Sequence, residues 1–401
     1  MRFCTGSFPV LLLQTILVVF IPSAALSVPF DVEQAPTGPA ATHFSEGMQL
    51  LKKRDATGAE AALRKSLELI PNHVGALAGL AEALLQQGRT DEAKATIHQA
   101  LSLQPKNGGL YQAWGRYLVT QKEFKKAEEA FLKATELNAK NVDAHIDLGN
   151  LYLGGLSRPK QASQSFARAV KLAPQDANAH FGLGTSYSAL KMTKEATAEL
   201  NEASRLAPDN PFIQMALGNL YREQKEWDNA LASYTTAAKI EPRFTYAVMA
   251  KGDTLAILGK PQEAKREYDN VIKVDPNHAY AYNNLAWISA EQKDQLDDAL
   301  AWAKKAVSLA PSNIQFKDTL AWVYRAKGDV NQAGEILTTS LARAPNHATM
   351  TYHLGIVLAE QGKANEAVEM LKKSLELRLD EAAAKDAERR IHSLTSSRTA
   401  R

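Results

Sequence analysis

Along most of the chain apolar residues return at i+3, i+4 and i+7, interrupted by short polar or glycine-bearing turns such as QQGRT at 86–90 and AKGDV at 326–330. That spacing gives each of a long series of short helices one apolar stripe, and the turns fold them into hairpins. A comb of prolines marks the same rhythm: Pro71, Pro105, Pro174, Pro208, Pro242, Pro276, Pro311 and Pro345, with gaps of 34, 69, 34, 34, 34, 35 and 34 residues. The gap of 69 divides as 34 plus 35 if Ala139 in LNAKN stands in for a missing proline. Each proline ends the second helix of a hairpin, since it cannot extend the hydrogen-bond ladder. The pattern predicts paired helices and an all-α fold.

Within each period small and large residues recur at fixed places. The segment 108–141 carries Tyr111, Trp114, Gly115, Leu118, Ala127, Phe131 and Ala134; the segment 142–176 carries Leu148, Gly149, Tyr152, Ala162, Phe166, Ala169 and Pro174; the segment 211–244 carries Leu217, Gly218, Tyr221, Ala230, Tyr234, Ala237 and Pro242. The small residues let paired helices approach closely, and the large ones fill the space left over. A period of 34 with these residues at positions 4, 7, 8, 11, 20, 24, 27 and 32 resembles the tetratricopeptide-repeat superfamily. The resemblance implies a right-handed α-solenoid of ten helix-turn-helix repeats: 40–73, 74–107, 108–141, 142–176, 177–210, 211–244, 245–278, 279–313, 314–347 and 348–381. Two repeats, 142–176 and 279–313, hold one extra residue at the hairpin turn. Residues 382–393 are expected to cap the last apolar seam, leaving 394–401 as a frayed tail.

The N-terminal segment has a different character. Arg2 is followed by an apolar run from Phe8 to Ile21 and then by PSAALS, which reads as a secretory signal over 1–27 with cleavage after Ser27. Residues 28–39, with three prolines, read as a linker. Cleavage would remove the single cysteine, Cys4, and suit an oxidising compartment. The chain is therefore expected to be exported, to the periplasm or beyond, with no stable membrane span after processing. Retention of residues 1–27 as an anchor stays open.

Charge excludes more than it suggests. Lys and Arg total 47 against 44 Asp and Glu, and no basic stripe marks a nucleic-acid binder. No phosphate loop, H-E-x-x-H helix or G-x-S-x-G elbow is present, so no catalytic, cofactor or metal residues are assigned and a non-enzymatic protein is expected. His73, His278 and His347 recur in inter-repeat turns, where a turn role is favoured over metal binding. His145 and His180 share repeat position 4, and two imidazoles alone make an incomplete zinc site.

What the resemblance does imply is a concave face lined by first helices. Positions 2, 5, 6, 9 and 12 point into it and nominate a polar set, Arg116, Asn150, Asn219, Arg222, Asn284 and Arg325. They also nominate an aromatic set, Phe212, Tyr246, Tyr280, Trp287, Trp322 and Tyr352. These suit a protein segment or a glycan; the same aromatics also suit packing between neighbouring helices. Replacing Trp287 and Trp322 with Ala is expected to abolish capture without changing helical content. No repeat has lysine at position 5, so the two-carboxylate clamp of some relatives is incomplete. Residues 280–313 and 318–337 resemble exported repeat proteins of bacterial exopolysaccharide and PEP-CTERM systems, which implies a scaffold in envelope polysaccharide assembly or export. A regulator or delivery accessory of an envelope hydrolase or transferase, and a pilus or outer-membrane assembly factor, remain as alternatives.

Overall fold

A computed structural model of the chain describes residues 38–399, and all of its regular elements are helices. The expected signal segment and almost all of the linker lie outside the described residues. Those described fall into two units, 38–220 and 221–399. The first holds α1 (Gly38–Lys52), α2 (Ala56–Leu69), α3 (Val74–Gln86), α4 (Thr90–Leu103), α5 (Gly108–Thr120), α6 (Phe124–Leu137), α7 (Val142–Asn150), α8 (Pro159–Leu172), α9 (Ala177–Ala189) and α10 (Thr193–Leu206), and the boundary falls inside α11 (Pro211–Glu223). The second holds α12 (Trp227–Ile240), α13 (Thr245–Ile257), α14 (Pro261–Val274), α15 (Ala279–Gln292), α16 (Leu296–Leu309), α17 (Ile314–Ala326), α18 (Val330–Leu341), α19 (Ala348–Glu360), α20 (Ala364–Glu376) and α21 (Glu381–Thr399). Two helices per 34 residues make an all-α helical-repeat solenoid.

Position 20 shows what holds it together. It is alanine in all ten repeats, from Ala59 to Ala367, and every one of these has 0% exposure. Position 24 supplies the bulk beside it: Leu63, Ile97, Phe131, Phe166, Leu200, Tyr234, Tyr268, Leu337 and Leu371 are all buried. Phe166 also requires a neighbour without a side chain, because a Cβ on Gly149 would lie 2.8 Å from its ring. Small against large is how adjacent helices reach native packing density.

The turns obey a second rule. Position 34 caps the next first helix: Asn107, Asn141, Asp176 and Asn313 accept backbone N–H groups through side-chain oxygens. His73, His278 and His347 do the same through Nδ1, each at 3.2 Å. Position 15 adopts the left-handed conformation that closes the hairpin. Gly88, Gly259, Gly328 and Gly362 fill it in four repeats, while Arg54, Lys122, Lys191, Lys225 and Lys293 fill it in five others with φ between 54° and 61°.

The two extra residues are absorbed differently. In repeat 142–176 the first helix widens into a π-helical stretch over Leu151–Gly155. In repeat 279–313 the turn takes two left-handed residues, Lys293 and Gln295. At the C-terminus the structure corrects the sequence reading, which stopped the cap at residue 393. Helix α21 runs on to Thr399, because Ile391 and Leu394 continue the apolar stripe laid against the last repeats.

Candidate functional site

First helices carry the nominated residues, and the structure ties seven of the twelve to side chains on neighbouring helices. In the unit 38–220, Arg116 on α5 donates through Nε to Asp147 Oδ2 on α7 at 2.7 Å and reaches Glu82 on α3 at 3.4 Å. Gln112 Nε2 donates to the same Asp147 oxygen at 2.7 Å, and the capping Asn141 donates to Gln112 Oε1 at 2.9 Å. Three successive first helices are thus laced by one polar ladder. Burial pulls the Arg116 pKa down, but Asp147 and Glu82 outweigh it and hold the guanidinium charged. Burial raises Asp147, with Arg116 and Gln112 opposing. Asn150, Phe212 and Asn219 are half-buried.

The unit 221–399 holds the aromatic set, and here the burial departs from the binding reading. Trp287 and Trp322 are 5% and 8% exposed and stack at 5.9 Å. Trp322 stacks in turn on His353 at 4.1 Å, while the Arg325 guanidinium lies 4.3 Å from its ring. Trp322 Nε1 donates to Glu291 at 2.5 Å, Arg325 pairs with Glu360, and His353 Nδ1 faces Asp318 at 2.8 Å. Tyr352 is buried as well, its hydroxyl donating to Asp386 on α21 at 2.7 Å. Burial and Asp386 both push that phenol up. Tyr280 meets Phe316 edge to face at 5.1 Å. Trp287, Trp322 and Tyr352 are therefore seam residues between first helices, and so the expectation that helical content survives loss of both tryptophans does not fit their packing.

A more open stretch begins at α13. Tyr246 is 47% exposed. Two turns along the same helix face, Asp253 places one oxygen, Oδ1, against Tyr268 Oη at 2.7 Å and Asn284 Nδ2 at 3.0 Å. Burial pushes Asp253 up to about 6, while Tyr268, Arg222 and Asn284 pull the other way. Arg222 is half-buried. Sequence reasoning nominated Tyr246, Arg222 and Asn284 but missed Asp253, although it occupies position 9, the place of Arg116, Asn150, Trp287 and Trp322.

The histidines also have definite partners. His145 Nε2 bonds the Ala139 carbonyl and His180 Nε2 the Pro174 carbonyl, each at 3.1 Å, so position 4 grips the preceding turn. Among the described residues no three His, Cys, Asp or Glu side chains gather as metal ligands, and no helix is long and apolar enough to cross a membrane.

Comparison with known proteins agrees with this construction. Tetratricopeptide-repeat family models match residues 50–113, 109–141, 151–211 and 249–314. A YpiA-like tetratricopeptide model matches 189–241, and the model for subunit 3 of the anaphase-promoting complex matches 292–374. A curated relative, the mouse protein O-mannosyl-transferase TMTC3, is 33% identical over 86 residues, covering 21% of this chain and only 9% of its own length. Among solved structures, YrrB, described as a repeat protein with an unusual peptide-binding site, is 27% identical over 47% of this chain and 96% of its own, with a TM-score of 0.41. PilW, described as a type IV pilus biogenesis factor, is 18% identical over 51% of this chain and 94% of its own, with a TM-score of 0.48. The family matches and the helix pairs they fall on support a place for the chain in the tetratricopeptide-repeat superfamily.

Proposed function

We propose that the protein is an exported, non-enzymatic scaffold that holds a protein partner against its first helices, in the assembly or export of envelope polysaccharide. The observation that carries the binding part is the face of α13. Tyr246 offers nearly half of an aromatic ring to solvent, and Asp253 two turns away spends only Oδ1 on internal bonds. An aromatic anchor beside a hydrogen-bonding group of fixed position is the usual composition of a binding hot spot. Rigid repeats keep the ordering cost low. Export is supported by the apolar segment and small-residue stretch within 1–27, and the polysaccharide setting by the resemblance of residues 280–337.

The test compares capture from an envelope fraction by the wild-type chain and by Tyr246→Ala with Asp253→Asn. Loss of the captured partner with an unchanged circular dichroism spectrum is the expected result. Equal capture by the two proteins overturns the assignment of this face.

A further inference from the structure

The hairpin turns of three successive repeats in the unit 38–220 carry a charge pattern that the fold itself disfavours. Lys122 and Lys191 sit at position 15 in the left-handed conformation, where four other repeats use glycine. Three residues further on, Lys125, Lys160 and Lys194 occupy the first turns of α6, α8 and α10. That end of a helix carries the positive end of its dipole and favours acidic residues. Acidic residues fill that turn in five other second helices: Asp91 and Glu92 begin α4, Asp228 begins α12, Glu263 begins α14, Asp297 and Asp298 begin α16, and Glu366 begins α20, and in α10 Glu195 stands beside Lys194.

These turns form one edge, because each repeat places its own at the same point and consecutive helices stack about 10 Å apart. Over 121–128, 157–162 and 190–197 the edge holds Lys122, Lys125, Lys126, Arg158, Lys160, Lys191 and Lys194 against Glu123, Glu128 and Glu195. Glu123 pairs with Lys126 and Glu128 with Arg158. Lys122, Lys125, Lys160 and Lys194 are exposed, and among the described residues they make no ion pair. Met192, 38% exposed, stands between Lys191 and Lys194. Lys125, Lys160 and Lys194 stand against the helix dipole with no carboxylate partner, which points to a role outside folding.

We propose that this edge docks on a membrane surface rich in anionic lipid, with the lysines over the headgroups and Met192 entering the interface. A row of lysines around one apolar tip fits a lipid surface better than a soluble polyanion, which gives a thioether nothing to enter. The edge is separate from the first-helix face, and the proposal stands whether or not that face binds a partner.

Co-sedimentation of the full chain with vesicles tests it. Wild-type protein sediments with vesicles of phosphatidylcholine mixed with phosphatidylglycerol, far less with phosphatidylcholine alone, and progressively less as salt rises. Lys122→Gly lowers partitioning about fivefold, while raising thermal stability because glycine relieves the turn. Lys125→Gln, Lys160→Gln and Lys194→Gln together lower it about 100-fold, and this set leaves the turn conformation untouched should the glycine variant disturb the fold. Met192→Ser weakens binding to mixed vesicles and leaves binding to soluble heparin unchanged. Equal sedimentation with both vesicle types, wild-type partitioning by folded variants, or heparin binding without vesicle binding overturns the proposal.

Discussion

His73, His278 and His347 show how a residue type suggestive of metal chemistry serves instead as backbone punctuation. Each ring accepts a helix N–H through Nδ1, a role open only to a nitrogen that carries no proton. Burial lowers the pKa of His73 and of His278 below the ordinary imidazole value. The folded state then binds fewer protons than the unfolded chain as the pH falls. The stability these caps contribute is present above about pH 6.5 and is lost as the pH drops through the lowered folded values. Replacing both with asparagine, which caps without titrating, is expected to reduce the loss of stability between about pH 7 and pH 5 by roughly 1 kcal/mol per cap. Urea denaturation of wild type and variant at the two pH values measures it, and parallel losses would assign the acid sensitivity elsewhere. The Pro-Asn-His spacing made the turn legible, but the acceptor role depends on ring orientation, which no spacing reveals.

Helix pairs carry their own addressing. Glu60 at position 21 of α2 pairs with Arg89 at position 16 of the next repeat at 2.7 Å, and Glu128 pairs with Arg158 in the same way at 3.0 Å. Between α14 and the turn before α16 the polarity reverses, with Lys265 at position 21 and Asp294 at position 16, 3.1 Å apart. Lys265 is buried, and its ammonium is held against that carboxylate. Lys265→Glu is expected to destabilise the unit 221–399 by about 3 kcal/mol, and adding Asp294→Arg is expected to recover most of that by copying the Glu60–Arg89 arrangement. A double-mutant cycle by chemical denaturation reads the coupling, and additive losses would show the pair to be incidental. Such pairs lie about thirty residues apart and become visible only once the repeat register is fixed. The register itself was plain, because position 20 is Ala in all ten repeats and position 24 is a large residue in nine, with Ala303 the exception. The exact end of α21 was not, since Leu394 reads as core only when the surface it covers is known.

For the molecule as a whole, the sequence nominated an aromatic set suited to binding or to packing between neighbouring helices, and the second unit spends Trp287, Trp322 and Tyr352 on packing while Tyr246 stays exposed. Trp287, Trp322, His353 and Arg325 stack on one another across α15, α17 and α19, with Glu291, Asp318 and Glu360 taking their polar atoms. Position 9 faces either a ligand or the neighbouring first helix according to side-chain length and tilt, and a 34-residue period is silent on both. In a repeat stack stability is close to a sum of repeat and nearest-neighbour terms, so loss of one seam is felt first by the repeats that share it. Trp287→Ala with Trp322→Ala removes two large side chains from one seam, at about 3–5 kcal/mol for each buried aromatic. It also leaves His353 without the two rings packed against it. The expected outcome is an unfolding curve that splits, with the helices of 279–399 lost at lower denaturant than those of 38–220. Hydrogen exchange resolved by peptide would locate the early loss. A single transition displaced as a whole would mean that the chain unfolds as one cooperative body, and an unchanged curve would return these tryptophans to the binding face.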